Sequence, residues 1–594
     1  MGEEIIAVTR EIIANRLNYL TQEMGLSLAK TAYSVLFAEN RDFSCAIFDR
    51  EGYLLALGSF VPTHQGGMQG SMEYVLDKWG SKGLQDGDIF MHNDALHKGS
   101  HCQDITLFKP IFFDETHVAT GCCVAHHNDT GGMRPRSYCP DAEEIYQEGI
   151  RFPAVKLFKR GELQQDILDI YMTNVRMPDS ERGDLYAQLS TLSVAEKAIK
   201  ELCERYGSAE KIINYFRSIQ DHAEGRMREG IKSLKEGDYE AESYVDHDGW
   251  EEKSWKIKVT VSVKHKPQPH LIIDYSGSDP QARGFVNSYF YNTRANAWAA
   301  VYTVVDPYVH KCYGSMRPVE FNVPMGTIVN AKPPAPIGAC TTESGFVAAD
   351  VVALALGKAR PQIATGVWGG SFGGLGIYGE NPRHHKNSRI KERWASGFTD
   401  AGGVGGGARA TKDGIGTVTD ICGGPITIPN VEIMEANFPV TYRYRKLVSD
   451  GGGPGKFRGS PGYEVAIQPE GPMHFTCLCN KGYHGAEGIF GGKEGSRWKL
   501  EIRDAETDSI LKELPPKVVL HPISPMEIIH INVPGGGGYG HPFERDPERV
   551  KEDVIEGYVS IDMAKKDYGV VINPETLEID VDTTEKLRHG KGDQ

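Results

Sequence analysis

Two short segments, His97-Lys98-Gly99-Ser100-His101-Cys102-Gln103-Asp104 and Val124-Ala125-His126-His127-Asn128-Asp129, concentrate imidazoles and carboxylates in one region of the chain. In each, a histidine precedes an aspartate by three residues: His101 with Asp104, and His126 with Asp129. That spacing lets two side chains on a turn, or on the first turn of a helix, converge on one ion. Imidazole plus carboxylate suits Zn, Mn or Fe(II) at a catalytic site with open positions. Glycines flank the pairs (Gly99, Gly131, Gly132), and the apolar, strand-like Ile105, Leu107 and Phe108 lie between them. Both segments are read as one active centre, so the fold must bring them together. If the second is extended, His127 points away from His126 and only one of the two is a ligand. The competing reading is a structural His/Asp cluster with no ion.

At 594 residues the chain is too long for a single core and divides into roughly two to four domains. Hydrophobic residues at 40% and charged residues at 24% place it among ordinary soluble globular proteins. No apolar run approaches the ~18 residues of a membrane-spanning helix. The acidic start Met1-Gly2-Glu3-Glu4 lacks the basic and apolar regions of a secretory signal. A net charge of -15 without a basic cluster argues against nucleic-acid binding. The 11 cysteines contain no C-x-x-C pair, which argues against a disulfide framework or a zinc finger and fits a reducing cytoplasm.

The fold class expected is α+β and multidomain. A mixed α/β metal-site domain spans 1–240, a central mixed domain with Gly-rich loops spans 241–440, and a β-rich domain with short terminal helices spans 441–594. Residues 5–36 carry a helical apolar period (Ile12, Ile13, Leu17, Leu20, Met24), and 184–236 are again helical in composition. Ile257, Val259, Val261 and Val263 alternate as in a half-buried strand. Residues 366–425 are Gly-rich but interrupted by Trp368, Phe372, Tyr378, Trp394 and Phe398, which predicts tight turns and close backbone approach. Strand patterns dominate 438–540 and end at Pro534-Gly535-Gly536-Gly537-Gly538-Tyr539-Gly540.

Gly374-Leu375-Gly376-Ile377-Tyr378-Gly379 matches G-x-G-x-x-G without the strand-to-helix context that motif needs. Asp450–Phe457 imitates a phosphate loop but lacks its first glycine and its final Ser or Thr. No nucleotide-binding loop is recognisable. Asp42 beside Arg41 reads locally as an ion pair at a helix end. His64 is locally ambiguous, and the glycines that follow Gln65 suggest a functional loop.

The chain resembles the hydantoinase B/oxoprolinase family over nearly its whole length. The resemblance rests on Arg41-Asp42-Phe43-Ser44, Gly87-Asp88, Asn93-Asp94, His101-x-x-Asp104 and His126-His127-x-Asp129-x-Gly131-Gly132. It continues through Ile145-Tyr146-Gln147-Glu148-Gly149, Asn174-Val175-Arg176, Gly183-Asp184-Leu185, Asp274–Gln281, Gly455-Lys456-Phe457-Arg458-Gly459, the Pro534–Gly540 run and Glu544-Arg545-Asp546-Pro547. The resemblance implies a divalent metal (Zn, Mn or Fe) held by Asp42, His101, Asp104 and His126, with Asp42 taking the place that spacing alone gave to Asp129. His127, Asp129 and Glu144 are then left as supporting or acid/base groups. It also implies a hydantoinase A-type ATP-binding partner, in a heterotetramer or larger assembly, which accounts for the missing nucleotide loop. The activity implied is ATP-dependent hydrolysis of a cyclic amide of hydantoin or lactam type, in which metal-activated water attacks a substrate phosphorylated by the partner. The alternative is an ATP-dependent ketone carboxylase of acetone or acetophenone type, which needs the same ligands.

Overall fold

The computed structural model describes residues 6–370, 373–383, 393–416 and 419–589, so Phe372 lies outside the described residues. Among the described residues the fold mixes α and β over four sheets. The first sheet is built from β1 (Phe43–Asp49), β2 (Leu54–Leu57), β3 (Ile89–His92), β4 (Asp104–Phe113), β5 (Thr116–His126), β6 (Val155–Lys159) and β7 (Glu162–Leu163), in the order β2-β1-β5-β4-β3-β6-β7. Neighbouring strands run antiparallel.

Both faces of this sheet are buried, which explains why its strands read as continuous apolar runs rather than clean alternations. Phe43, Cys45, Ile47, Ile105, Leu107, Cys123 and Ala125 point to one face, where they pack under α1 (Ala7–Thr31), α3 (Gln165–Asn174) and α4 (Pro178–Tyr206). Ala46, Phe48, Phe108, Cys122 and Val124 point to the other, against α2 (His64–Trp79). The helical stretch expected from 184 to 236 is two helices. Gly207, at φ +93°, ends α4, and the Ser208 side chain accepts the Lys211 N–H to start α5 (Ala209–Lys232).

Beyond α2 the layers continue inward. α2 packs on α6 (Phe290–Val305), α6 on α8 (Ser344–Ala359), and α8 on the second sheet, while the one-turn α7 (Tyr313–Met316) leans on α5. α8 is buried all round, as its apolar Phe346–Leu356 sequence requires. The second sheet, β11-β10-β9-β8, comprises β8 (Gly237–Asp246), β9 (Ser254–Lys264), β10 (His270–Asp274) and β11 (Val319–Asn322).

The remaining strands form a two-sheet sandwich around Phe398, Phe475, Tyr463, Val465 and Ile531. One sheet joins β12 (Gly373–Glu380) and β13 (Arg393–Ala401) to β16 (Met473–Leu478) and β19 (Lys517–Ile523). The other joins β14 (Val440–Leu447), β15 (Tyr463–Pro469), β17 (Lys499–Asp504), β18 (Ile510–Leu514) and β20 (Glu527–Asn532). The first of these sheets therefore takes strands from both sides of residue 440. The Pro534–Gly540 run threads between loops by direct backbone pairing, with Gly453 N–H to Gly536 O, Gly537 N–H to Val367 O and Gly538 N–H to Lys493 O. A Cβ on Gly459 would stand 1.9 Å from the Gly536 carbonyl oxygen, so a side chain there is excluded by contact with backbone. None of the described helices is long and apolar enough to cross a membrane.

Helix α4 is tied to the first sheet by one polar side chain. Gln188 Nε2 donates to the Ile105 carbonyl (2.9 Å), and Gln188 Oε1 lies 2.8 Å from His127 Nε2. Replacing Gln188 with Leu strands both groups in an apolar layer. The expected loss is about 2–4 kcal/mol, read as a lower urea midpoint with an unchanged slope.

Candidate metal centre

Register in the first sheet assembles the centre. In the ladder β1-β5-β4, Asp104 pairs with His126, Phe43 pairs with Ala125, and the His126 N–H donates to the Asp42 carbonyl at 3.0 Å. Asp42, Asp104 and His126 therefore sit at the same end of three adjacent strands. By the two-residue alternation they share the face of Ala46, Phe108 and Val124, which is the face covered by α2. His127, one residue on, must take the opposite face.

Helix α2 supplies His64 as its first residue. The glycines after it, which suggested a loop, lie in helix, where they permit close packing. A Cβ on Gly66 would stand 2.4 Å from the Ala295 Cβ, and one on Gly70 would stand 2.3 Å from the Lys98 carbonyl oxygen. The bare Gly66 lets α6 close on α2, and the bare Gly67 and Gly70 let the 98–101 loop lie along α2, which brings His101 beside His64.

Asp104 Oδ1 is the point of convergence. It lies 3.0 Å from His101 Nε2, 3.4 Å from His126 Nδ1 and 3.7 Å from His64 Nε2. His101 Nε2 and His126 Nδ1 are 3.2 Å apart, and Asp42 Oδ1 is 3.8 Å from His64 Nε2. The other Asp104 oxygen accepts the Ser100 hydroxyl at 2.5 Å. Ligand atoms of His101, Asp104 and His126 all fall within 4.8 Å of one another, and all three residues are buried. His101 and His126 border a cavity of about 20 Å³, room for one ion or one water, lined also by Asp42, Thr63, His64, Tyr138, Thr342 and Phe346.

Hydrogen bonding fixes which atoms face this cavity. The Gly338 carbonyl can only accept, so His101 carries its proton on Nδ1 (2.9 Å) and presents a bare Nε2. A bare nitrogen 3.0 Å from a carboxylate oxygen is repulsive unless a proton or a cation lies between them. Accordingly, although burial alone would lower the His101 pKa, Asp104 raises it. Burial alone would raise Asp104, but His101 and His64 hold its carboxyl well below the usual carboxylate range. Burial, reinforced by the Asp104 charge, pushes Asp42 up to about 7. Burial pushes His126 down to about 4 and lowers His64 as well. The Thr63 hydroxyl, which lines the cavity, has no hydrogen-bond partner among the described residues. Two imidazole nitrogens and a carboxylate oxygen sharing one site is a donor set that fits a divalent cation.

The surroundings hold each donor in place. Tyr138 stacks on the His126 ring (5.6 Å between centroids), and the Arg136 guanidinium lies over Tyr138 at 5.4 Å. Buried Glu148 accepts the Ile337 and Gly338 N–H groups at 2.9 and 2.6 Å, fixing the loop whose carbonyl orients His101.

Three of the residues singled out from sequence stand elsewhere. His127 is held on the α4 face, with Nδ1 2.8 Å from Glu181 Oε2 and 2.9 Å from the Tyr171 hydroxyl. Asp129 accepts the Arg176 N–H at 2.6 Å and its guanidinium at 3.0 Å. Glu144 is exposed and caps the short helical turn Ile145–Gln147. None of the three lines the cavity. Tyr138, Thr341 and Thr342 do line it, and the sequence reading did not single them out. An aromatic twelve residues after His126 and a threonine pair before an apolar helix carry no local signal of a site.

Burial pushes the Glu148 carboxyl up to about 8 despite its two N–H partners. The folded chain thus keeps a proton that the unfolded chain releases near 4.5. This contribution to stability is full below about pH 4.5, is lost as pH rises through about 8, and is flat above that. Glu148→Gln should remove a fall on the order of 3 kcal/mol between pH 5 and pH 8, read from denaturant midpoints across that range.

Residues 7–542 match the family model for hydantoinase B/oxoprolinase. The chain is 32% identical to the beta subunit of the caprolactamase of Pseudomonas jessenii, covering 95% of this chain and 96% of that one. It is 30% identical to a putative D-/L-hydantoinase subunit of Pseudomonas sp. (strain NS671), covering 99% and 98%. It superposes on the crystal structure of the ATP-dependent caprolactamase of Pseudomonas jessenii with a TM-score of 0.89 at 30% identity, over 99% of this chain and 100% of that chain. With a whole-length match in sequence and in fold, the chain belongs to the hydantoinase B/oxoprolinase family.

Proposed function

We propose that the chain is the hydrolytic subunit of an ATP-dependent cyclic-amide hydrolase of lactam or hydantoin type, working with a separate ATP-binding subunit of the hydantoinase A type in a heterotetramer or larger. The observation that carries this reading is the convergence of ligand atoms of the buried His101, Asp104 and His126 within 4.8 Å of one another, beside a small cavity that His101 and His126 line. Full-length relatedness to a caprolactamase subunit supports the substrate class.

In this reading the partner transfers phosphate from ATP to the amide carbonyl oxygen. The amide carbon becomes electrophilic, and water adds to it; the C–N bond of the adduct then breaks, the ring nitrogen leaving as the amine, and a second water hydrolyses the resulting acyl phosphate to carboxylate and phosphate. His101 Nε2, Asp104 Oδ1 and His126 Nδ1 would hold a divalent cation, with Asp42 completing the set. When bound, such an ion (Zn, Mn or Fe) polarises the substrate and acidifies a water.

The chain's own residues supply position and proton transfer. The Gly338 carbonyl and the Ser100 hydroxyl lock His101 and Asp104. Ser44 Oγ donates to the Val61 carbonyl (2.9 Å), so it accepts the Nδ1–H of His64 (3.2 Å) and leaves His64 Nε2 bare toward the cavity. Burial keeps that imidazole neutral, with Nε2 able to take the proton of the attacking water. The proton-handling role expected of Asp129 passes to His64, because Asp129 is committed to Arg176.

The test is a turnover screen of the chain with its partner, ATP and cyclic amides, run beside ketones with bicarbonate. ATP- and partner-dependent ring opening is expected. Ketone carboxylation without ring opening, or ring opening by this chain alone, overturns the reading. His101→Ala should lose bound metal and turnover together, as measured by metal analysis and assay. His64→Gln should keep its metal and lose about 10²–10⁴ in kcat.

A further inference from the structure

Thr63 stands at the N-cap of α2, where a threonine hydroxyl ordinarily accepts one of the first free N–H groups of the helix. Here it does not. Thr63 has helical dihedrals, φ −60° and ψ −24°, and its side chain makes no capping bond. The residues before it already supply acceptors. The Val61 carbonyl takes the His64 N–H at 3.2 Å, and the Pro62 carbonyl takes the Gln65 N–H at 3.1 Å. The hydroxyl is thereby released from the helix end. It is buried, in a residue 3% exposed, and has no hydrogen-bond partner among the described residues. Valine has nearly the same shape and would fill this place without stranding a polar group. A hydroxyl buried without a protein partner is costly, and it is satisfied only by a molecule that enters the fold.

The cavity identifies that molecule. Thr63 and His64 both line it, and its volume of about 20 Å³ admits one water. A cation does not require the hydroxyl, because the ligand atoms of His101, Asp104 and His126 already lie within 4.8 Å of one another. In so small a space a single water is within reach of both the Thr63 hydroxyl and the bare Nε2 of His64. Water has two hydrogens, and one goes to His64 Nε2 as the oxygen attacks carbon. If Thr63 donated to the water, it would engage a lone pair that the attack needs. Accepting the second hydrogen leaves that lone pair open and stops the water from turning about its bond to His64. We infer that Thr63 Oγ1 positions the attacking water by accepting the hydrogen that His64 does not take. That hydrogen stays on the attacking oxygen, so no covalent bond to Thr63 forms or breaks. Ser44 and Thr63 then hold the two parties to the proton transfer, Ser44 the imidazole and Thr63 the water. This role rests on the hydrolytic reading above.

The full chain with its ATP-binding partner and bound metal provides the test. The Thr63 N–H donates to the Cys422 carbonyl at 3.1 Å, so the backbone stays in place when only the side chain changes. Thr63→Val keeps the shape and removes the hydroxyl, and Thr63→Ser keeps the hydroxyl. Thr63→Val should lose roughly tenfold to a hundredfold in kcat for ring opening, with KM for the cyclic amide, bound metal and thermal midpoint unchanged. Thr63→Ser should recover most of that loss. Phosphorylation by the partner continues in Thr63→Val, so the ADP formed per ring opened should rise, whereas a merely structural role would lower both together. A crystal structure of the metal-loaded chain, which needs no turnover, should place one solvent oxygen in hydrogen-bond range of both Thr63 Oγ1 and His64 Nε2. It should persist in Thr63→Ser and be displaced in Thr63→Val. A wild-type kcat in Thr63→Val, loss of metal in step with activity, or a solvent oxygen that contacts His64 and not Thr63 overturns the role. A wild type that opens no ring with partner and ATP is a failure of the hydrolytic reading, and the solvent position then still decides whether Thr63 and His64 hold one water between them.

Discussion

Three lone pairs directed at one point set the terms for the N-terminal half of this protein. His101 Nε2, His126 Nδ1 and Asp104 Oδ1 lie 3.0–3.4 Å apart in a buried pocket. Such an arrangement persists only if something positive sits within it and the surroundings do not let it spread. The surroundings are ordered around that need. Strand register fixes Asp42, Asp104 and His126 at one sheet end, and the Gly338 carbonyl keeps the His101 proton on the far nitrogen. The glycine face of α2 presses His64 and the 98–101 loop together. Without a cation the charge is met by a proton shared between His101 and Asp104, which is why their pKa values move in opposite directions. A divalent ion and that proton compete for the same space, so affinity for metal falls as pH is lowered.

The opposite face of the same strands solves a different problem. His127, Glu181, Tyr171 and Gln188 are all fully or nearly fully buried, in a layer otherwise made of Phe37, Ile105 and Leu185. Burial raises the Glu181 pKa well above the carboxylate range and lowers that of His127, so the close contact between them is a hydrogen bond between neutral groups. Gln188 Oε1 can only accept, so His127 carries its proton on Nε2 and its bare Nδ1 is the one acceptor that the Glu181 carboxyl and the Tyr171 hydroxyl share. Adjacent histidines thus serve unlike purposes, one at an ion-sized cavity and the next as a peg between sheet and helix. What separates them is only the two-residue period of β structure.

The spacing of His101 from Asp104 was readable because both lie on one short segment, and that of His126 from His127 because alternation dictates opposite faces. Asp42 was readable only through family resemblance. Its position depends on which strand lies beside β5, and pairing partners are not local information. His64 was obscured for a related reason. Gly66, Gly67 and Gly70 lower helix propensity and look like a loop, yet the close approach of Ala295 and of the Lys98 carbonyl is what they serve. Asp129 misled because i, i+3 spacing carries meaning on a turn and none where the chain bends away after β5 toward Arg176. The long-range pairing of β12 with β16 is likewise invisible to any reading that proceeds along the chain.

The G-x-G-x-x-G match shows how a misleading motif acquires a physical explanation. Gly374–Gly379 lies inside β12, so its amides are committed to β13 and β16 and cannot cradle a phosphate. Gly376 pairs across the sheet with Gly397, and the two together leave a bare patch of backbone. The buried Arg136 side chain occupies that patch. A Cβ on Gly397 would stand 2.2 Å from Arg136 Nη2, and one on Gly376 would stand 3.1 Å from its Cδ. The guanidinium is also held by Asn128 Oδ1 at 3.3 Å and the Leu375 carbonyl at 3.4 Å, and it faces Tyr138, which in turn stacks on His126. The third sheet is therefore connected to the metal-site strands through a stack of three side chains that rests on two missing ones. Any side chain at Gly397 would push Arg136 toward Tyr138 and, through it, tilt the His126 ring. These glycines belong to the support of the site although neither borders the cavity.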